Sequence, residues 1–421
     1  MKTYCKNVCI TDLDFIKSSV WHCFNGKWNK NKVIRFIANY ENMSRKEVKD
    51  ILDIFGKEKF DFFVQHVAEN IQSNILERKI TFPPINYKQR YDDNSGKWRE
   101  IGVESMIQQC HEYVAVDACM EMFKKKIGKY QCASVPKRGQ LYGMKTIRRW
   151  LKNDVKGTRY FVKLDVQKCY PSIKQSLIKQ FLRRDIKPDL IYLLDTMIDS
   201  FTRGGLSIGS HLSQWLCNYY LSYAYHFMDQ NLFIQRRGKS TRLISHTLFY
   251  MDDIILFGGN KKHLELAVNM IVDYFEKNLG LLIKPKWNIM RTQFTDKNGK
   301  VRGCFVDMMG FKIYRTHITI RKSIALKVTR KANKVRKKIK NHIPVTQKDA
   351  FQISSYNGWI ANTYSGKMER KYEMPLCMKV CKRITSNNMR VKSMNDLVYK
   401  LELKAVKGDY YEQMLQNRCA S

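Results

Sequence analysis

The sequence predicts an α+β protein in which helical segments at both ends flank a region of short strands. Residues 1–90 show helical spacing of apolar residues, and 160–165 and 247–257 are apolar runs rich in β-prone residues. Residues 311–345 contain twelve Lys or Arg and no Asp or Glu, with apolar residues spaced between them. This last pattern predicts a basic amphipathic helix.

The charge of the chain points to a polyanionic partner. The 421 residues include 76 Lys and Arg against 38 Asp and Glu, which gives a formal net charge of +38. The hydrophobic content of 44% excludes a largely disordered polymer. Nucleic acid is the expected partner of a folded chain this basic. A membrane surface is the alternative, and solvated lysines account for part of the charge.

No feature of the sequence indicates export or a membrane span. No apolar run approaches the roughly 18 residues that a membrane helix needs. Met1–Asn7 is basic but leads into no apolar segment, so we expect a cytoplasmic protein without a membrane partner. The twelve cysteines are therefore expected to be reduced core residues and not disulfide or zinc partners.

Helices and one hairpin are expected before residue 130. Ser44 and Glu47 have the spacing of a capping box, and the segment 81–84, with two prolines, ends the first helical unit. Residues 92–96 form a turn signal inside a predicted hairpin over 91–105, and helical spacing resumes over 112–126.

The middle of the chain is expected to alternate strands and helices. Residues 160–165 read as a strand, and Ser172 is expected to cap the helix behind it. Residues 204–209 form a glycine-rich loop before a long helix over 211–229, and two β-prone runs meet at residues 251–253.

Three aspartates stand where apolar strands end. Asp252 and Asp253 form the tip of the expected hairpin, where two adjacent carboxylates are costly unless something compensates their desolvation. An Asp-Asp pair is also common in ordinary turns. Asp165 ends the other strand, so the three carboxylates are suited to hold two Mg²⁺ ions about 4 Å apart for phosphoryl transfer.

Five segments resemble the sequence motifs of reverse transcriptases, in the same order along the chain. Residues 165–173 are similar to motif A, 205–214 to motif B, 250–253 to motif C, 279–286 to motif D and 309–313 to motif E. The resemblance implies an α+β right-hand polymerase, in which the palm is an antiparallel sheet backed by helices, the fingers contain a hairpin and the thumb is helical.

The resemblance also divides the chain. Residues 1–90 would be an N-terminal helical extension, 91–160 the fingers, 161–315 the palm with some fingers elements, and 316–421 the basic helical thumb and C-terminal tail.

The resemblance implies the catalytic groups. Asp165, Val166, Asp252 and Asp253 would lie at two Mg²⁺ ions, for which Mn²⁺ could substitute. Lys286 would be the motif D lysine that protonates pyrophosphate, and Lys284 competes for this role.

The substrate contacts follow from the same motifs. Lys97 and Arg99 would contact the incoming triphosphate, and Tyr170 would be the steric gate that excludes a ribose 2′-hydroxyl. Each also has an ordinary structural interpretation, as a solvated strand charge or a core ring. The primer grip would consist of Met309, Gly310 and Phe311.

Motif B departs from the retroviral pattern. Ile208 precedes Gly209 where a glutamine usually stands, and Gln214 follows Ser213. This arrangement is similar to diversity-generating retroelement enzymes and to several bacterial groups that include phage-defence ones. It implies relaxed base selection by Ile208, Gly209 and Gln214, unless the change only repacks the pocket.

These motifs together predict an RNA-directed DNA polymerase, or reverse transcriptase, that makes cDNA in bacterial antiphage defence. The partners implied are an RNA template, expected to be a cognate noncoding RNA, the cDNA product, deoxynucleoside triphosphates, and an accessory protein or a second copy of the chain. The alternatives are a diversity-generating retroelement enzyme, a template-independent terminal transferase and a non-catalytic RNA-binding scaffold.

Overall fold

The chain begins with three helices in the computed structural model, which describes residues 3–92 and 96–419, without the side chains of 388–402, 405–406 and 418–419. These helices are α1 (Leu13–Phe24), α2 (Asn31–Tyr40) and α3 (Arg45–Leu76). The Ser44–Glu47 capping box is confirmed, since each side chain accepts a hydrogen bond from the other residue's backbone N–H. Gly56 interrupts α3 with a φ of 67°.

A hairpin and three helices follow. The hairpin strands are β1 (Asn86–Asp92) and β2 (Lys97–Val103), paired antiparallel from Asn86 opposite Val103 to Asp92 opposite Lys97. The predicted hairpin is confirmed, although residues 93–95 of the expected turn lie outside the described residues. The helices are α4 (Met106–Ala118), α5 (Met120–Lys126) and α6 (Gln140–Asn153).

The middle of the chain supplies the main sheet and the helices that cover it. In chain order these elements are β3 (Tyr160–Asp165), α7 (Cys169–Ser172), α8 (Gln175–Asp185), α9 (Pro188–Asp199), α10 (His211–Gln230), β4 (Phe233–Arg236), β5 (Lys239–Arg242), β6 (His246–Tyr250), β7 (Asp253–Gly258), α11 (Lys261–Leu279) and β8 (Met290–Arg291). The main sheet has the strand order β6-β7-β3-β8 and is antiparallel throughout. A separate hairpin pairs β4 with β5.

Both faces of the main sheet are buried, which explains why its strands are apolar without a gap. Ile254 and Leu256 of β7 belong to the core that contains α10 and α11, whereas Ile255 and Phe257 belong to a second core with α6. This alternation has the two-residue period of a strand. Phe161 of β3 lies opposite Phe257, on the α6 side of the sheet.

Short strands and a group of helices complete the chain. They are β9 (Phe294–Thr295), β10 (Val301–Arg302), β11 (Val306–Met308), β12 (Phe311–Ile313), β13 (Ile318–Ile320), α12 (Lys322–Lys340), α13 (Gln347–Ser355), α14 (Asn357–Ile360), α15 (Gly366–Lys371) and α16 (Met374–Cys419). The basic helix expected within 311–345 therefore begins only at Lys322, because β12 and β13 occupy the start of that range. Its buried residues, Val328, Ala332 and Val335, face a third core.

The last helix, α16, joins two separate cores. Cys377 and Cys381 near its start are buried with α12 and α13, whereas Tyr411 and Leu415 near its end are buried with the N-terminal helices. The Tyr411 hydroxyl donates a hydrogen bond of 3.2 Å to buried Asp50. None of the helices in the described part of the chain, including this one, combines the length and apolar character needed to cross a bilayer.

The expectation that Ser172 caps a helix is wrong. Ser172 is the last residue of α7, and its hydroxyl donates to the Gln167 carbonyl at 3.2 Å. The residue before α8 is Lys174, which makes no side-chain cap. The error arises because the chain turns once more between Ser172 and the long helix.

Candidate active site

Two of the three predicted aspartates are direct cross-strand neighbours. Asp165, the last residue of β3, lies opposite Asp253, the first residue of β7. The Val166 N–H donates to the Asp252 carbonyl at 3.2 Å, so the Asp165–Asp253 pair lies between ladder hydrogen bonds. In such pairs the Cα atoms are about 4.5 Å apart and the side chains share a face. The register therefore brings the two carboxylates together.

The third aspartate lies in the turn between β6 and β7. Tyr250 pairs with Asp253, which leaves Met251 and Asp252 as a two-residue hairpin loop. Met251 has a φ of 54°, in the left-handed region that favours glycine. Backbone strain of this kind is concentrated at functional sites in proteins. The tight loop holds Asp252 at the same edge of the sheet as Asp165 and Asp253.

Burial and mutual repulsion both disfavour charge on these carboxylates. Burial is the main cause that raises the pKa of Asp252, and repulsion from Asp253 adds to it. Burial likewise raises the pKa of Asp253, against the attraction of Lys163. A bound cation would remove both penalties.

Lys284 makes the closest contact to Asp165. Its ammonium Nζ lies 2.5 Å from Asp165 Oδ1, and its backbone N–H donates to the Asp165 carbonyl at 2.9 Å. Asp165 Oδ1 is buried and, apart from this ion pair, has no hydrogen-bond partner among the described residues. Lys286 is exposed two residues further on. Between the two candidates for motif D, the contact with the carboxylates is made by Lys284.

The donor set fits divalent cations that prefer oxygen ligands. Mg²⁺ is usually held by one or two carboxylates, with waters and substrate phosphates completing the shell. Asp165 Oδ1 is a buried oxygen whose neighbour is a cation, which is the environment that a metal ion would also provide. Among the described residues no three His, Cys, Asp or Glu side chains already form a closed metal cluster. The carboxylates therefore share one edge and leave positions for a substrate.

The residues that follow Asp165 line the same edge. Val166 is buried, and its backbone N–H contacts Asp252 as described above. The Tyr170 hydroxyl lies 3.8 Å from Met251 Sδ, in the loop that carries Asp252. Burial raises the pKa of Tyr170 far above its usual range, so its hydroxyl stays neutral. Tyr170 thus lies beside the carboxylates, where a gate against a 2′-hydroxyl is expected.

The predicted motif B loop lies on the end of β2. The Ile208 carbonyl accepts a hydrogen bond of 2.8 Å from the Gly102 N–H. Gly209 has a φ of 118°, and a Cβ there would lie 2.6 Å from the Gly102 carbonyl oxygen. Only glycine permits this approach. Ile208 is half-buried, and Gln214 lies in the first turn of α10, also half-buried.

The hairpin presents its basic residues from the other side of that contact. Lys97 and Arg99 alternate with Trp98 along β2, so they share a face. Arg99 donates to Asp92 Oδ2 at 3.1 Å and also lowers the pKa of Asp252 by its charge. Arg99 is therefore close enough to interact with the carboxylate edge.

The predicted primer grip is a tight turn whose side chains are buried. Met309 and Gly310, between β11 and β12, have φ values of 54° and 84°, as in a type I′ hairpin turn. Met309 is 7% exposed and Phe311 1% exposed, so only the backbone of the turn faces outward. A Cβ on Gly310 would lie 2.6 Å from the Trp359 ring, which fixes the turn against α14.

Two cations near the aspartates were missed by sequence reasoning. Lys163 and Arg321 both lower the pKa of Asp253 by their charge. Lys163 is an isolated charge in an apolar strand, two residues before Asp165 and hence on the same face, so the strand period contained its signal. Arg321 pairs with Asp307 at 2.6 Å and is far from the motifs in sequence, so no local pattern indicates it.

The fold and the carboxylate edge belong to a nucleotidyltransferase of the polymerase class. The family model that matches the chain covers residues 88–304, half of its length, and describes the reverse transcriptase (RNA-dependent DNA polymerase) family. The chain belongs to this family and is an RNA-directed DNA polymerase. The resemblance found from the motifs is thereby confirmed at the level of the family. No curated protein matches the chain.

The family implies a right-hand polymerase fold, and the mixture of helices with antiparallel sheets agrees with it. Its members use an RNA template, deoxynucleoside triphosphates and divalent metal ions such as Mg²⁺, and their product is DNA.

Proposed function

We propose that this chain copies an RNA template into cDNA by two-metal nucleotidyl transfer at Asp165, Asp252 and Asp253. The observation that carries the proposal is the register of β3 on β7, which makes Asp165 and Asp253 neighbours beside the loop that holds Asp252. Two bound Mg²⁺ ions would activate the primer 3′-hydroxyl and neutralise the triphosphate.

The protein residues bind and orient the substrates in this proposal. Asp165 and Asp252 hold the metal ions, with Val166 alongside, and Asp253 completes the carboxylate cluster. Lys284 leaves Asp165 when the ions bind, because its ammonium lies against the oxygen that they need. Lys284 then replaces Lys286 as our first choice for the acid that protonates pyrophosphate, since Lys284 is already at the site.

The incoming nucleotide is held between the hairpin and the carboxylates. Lys97 and Arg99 bind its triphosphate, which the proximity of Arg99 to Asp252 supports. Tyr170 excludes a ribose 2′-hydroxyl by its ring, supported by its contact with Met251. Ile208, Gly209 and Gln214 face the base and relax its selection, because Ile208 offers no hydrogen bond.

The polymerase regions follow from this arrangement. We assign the fingers to 91–160, the palm to 161–315 and the thumb and tail to 316–421, with 1–90 as an N-terminal extension. The backbone of the Met309–Gly310 turn serves as the primer grip, since the side chains of Met309 and Phe311 are buried. The basic face of α12 runs along the template–primer backbone.

For the biological role we propose bacterial antiphage defence with a cognate noncoding RNA as the template. The SQ-type motif B, Gly209 to Gln214, is shared with diversity-generating retroelement enzymes, so that role is the alternative. The packing of α16 on α3 supports the defence role, because it joins the two segments that lie outside the matched region. Loss of phage resistance in cells carrying Asp252→Asn would support defence, whereas unchanged resistance would contradict it.

The experiment that tests the chemistry is primer extension by Asp252→Asn combined with Asp253→Asn. With Mg²⁺ or Mn²⁺ and an RNA template, the double variant should make no DNA while RNA binding stays within about twofold. Retained synthesis in the variant would contradict the assignment of the metal site.

The same assay separates the remaining alternatives. Products whose sequence does not depend on the added RNA would indicate a template-independent terminal transferase. RNA binding without any incorporation by the wild-type chain would indicate a non-catalytic scaffold.

A further inference from the structure

A second pair of acidic residues lies buried beneath the motif B loop. Glu104 follows β2 directly, and Glu112 lies in α4; the two side chains are 4% and 0% exposed. Glu104 lies within hydrogen-bonding reach of Glu112 and Ser210, and its Oε1 has no partner among the described residues. Buried carboxyl groups without cations in contact are rare, so this pair requires an explanation.

Glu112 is bonded to the start of α10. Its Oε1 accepts a hydrogen bond of 2.6 Å from the Ser210 hydroxyl, and its Oε2 accepts bonds of 3.0 Å and 3.4 Å from the His211 and Leu212 N–H groups. Ser210 is itself the N-cap of α10, since its Oγ accepts from the Ser213 N–H at 3.0 Å. Glu112 thus satisfies free N–H groups at the positive end of a 20-residue helix.

The bonded helix end continues directly into the motif B loop. Gly209, adjacent to Ser210, leaves no room for a Cβ against Gly102 of β2. The Gly102 N–H in turn holds the Ile208 carbonyl at 2.8 Å. A shift of the start of α10 would therefore move Ile208 and Gly209 and, through Gly102, the strand that carries Arg99.

We propose that Glu112 is a positioning residue for nucleotide binding: it holds the start of α10, and so sets the motif B loop and the β2 strand against the carboxylate edge. This inference rests on the proposed function, since it assumes that Ile208, Gly209 and Arg99 contact the nucleotide. Glu112 itself does not touch the substrate. Glu104, at the end of the same β2 strand, links that strand to the pair.

The test is steady-state primer extension with Glu112→Gln. The amide keeps the size of the side chain but replaces one acceptor oxygen by a donor, against N–H and O–H groups that also donate. We expect the KM for the incoming deoxynucleotide to rise about tenfold while kcat changes less than about threefold. Ser210→Ala should raise KM in the same direction, and the double variant should cost less than the two single effects combined.

The matched control is Asp50→Asn. Asp50 is as buried as Glu112, at 1% exposure, but it bonds Tyr411 in the contact between α3 and α16. Its replacement should lower the thermal midpoint and leave KM unchanged. The inference is overturned if Glu112→Gln remains folded with unchanged KM, or if Asp50→Asn raises KM equally. If Glu112→Gln does not fold, Ser210→Ala decides alone, and an unchanged KM in that variant overturns the inference. An inactive wild-type chain would instead refute the proposed function.

Discussion

The molecule contains two acidic clusters of opposite design. Asp165, Asp252 and Asp253 lie half-buried at the open edge of the main sheet, with cations around them and few hydrogen bonds to them. Glu104 and Glu112 are enclosed, and backbone N–H groups and a serine hydroxyl bind to Glu112. The first cluster is left for a mobile cation to complete, whereas the second is completed by the protein itself. The number of acids in a cluster is thus less informative than what satisfies their oxygens.

The comparison is tested most strongly by neutralising one acid of each cluster. Asp165→Asn should reduce the rate of nucleotide incorporation by at least about a thousandfold, because metal binding contributes several kcal/mol to the transition state. Glu104→Gln should reduce it by less than about tenfold, since this residue acts only through the backbone. Single-turnover incorporation on an RNA template measures both. Equal losses in the two variants would abolish the distinction between the clusters.

The cations at the open cluster should matter for substrate binding. Arg99→Ala should raise the KM for deoxynucleotides by about 10- to 100-fold, since charge-assisted hydrogen bonds contribute roughly 1.5–3 kcal/mol. The control is Arg236→Ala in the other hairpin, which pairs β4 with β5 and carries an equally exposed arginine. A KM that is unchanged in Arg99→Ala, or raised in both variants, would remove Arg99 from the site.

The enclosed cluster should reveal itself in the pH dependence of stability. Burial and repulsion from Glu112 raise the pKa of Glu104 to about 9, above the value of about 4.3 in an unfolded chain. The folded state then holds a proton that the unfolded state releases, so stability falls as pH rises between these two values. The slope is at most about 1.4 kcal/mol per pH unit for one proton.

Glu104→Gln should remove this slope, because the amide does not titrate. Denaturant unfolding of the wild-type chain and the variant between pH 5.5 and pH 8.5 measures it. Parallel stability curves for the two chains would show that Glu104 is ionised in the folded protein.

A smaller effect is expected from the basic helix α12, where some charges are already used. Lys334 and Lys338 form ion pairs of 3.0 Å and 2.7 Å with Asp349, which is 4% exposed. Arg330 and Lys337 are exposed on the same helix. Arg330→Gln with Lys337→Gln should lower the salt dependence of template–primer affinity by about one log unit per lost phosphate contact.

The matched variant of α12 is Lys338→Gln. It should lower the thermal midpoint because it removes a partner of a buried carboxylate, while the salt dependence of binding changes little. Binding titrations at several salt concentrations distinguish the two results, and an equal loss of salt dependence in both would contradict the assignment.

The sequence was sufficient for the features that depend on local patterns. The strand that ends at Asp165, the hairpin with Asp252 and Asp253, the capping box of α3 and the order of the motifs were all predicted from short segments. Each depends on periodicity, caps or turn residues that lie next to one another in the chain. The family assignment followed from the same segments.

The remaining features depend on contacts between distant residues. Lys284 could be distinguished from Lys286 only once β3 lay beside the segment that carries both lysines. Glu112 gave no signal, because a glutamate in an apolar helix looks like a solvated face until α10 is placed above it. The link between Asp50 and Tyr411 joins opposite ends of the chain. Such pairs follow from the tertiary fold and from no local pattern.

The most direct test of the central claim is to locate the metal ion on the chain. Fe²⁺ binds sites built for Mg²⁺ and, with ascorbate and peroxide, cleaves the backbone nearby. With template–primer and deoxynucleotide bound, we expect cleavage close to Asp165 and close to Asp252–Asp253, and loss of both cuts in Asp252→Asn. Cleavage confined to other segments, while the wild-type chain synthesises DNA, would contradict the account.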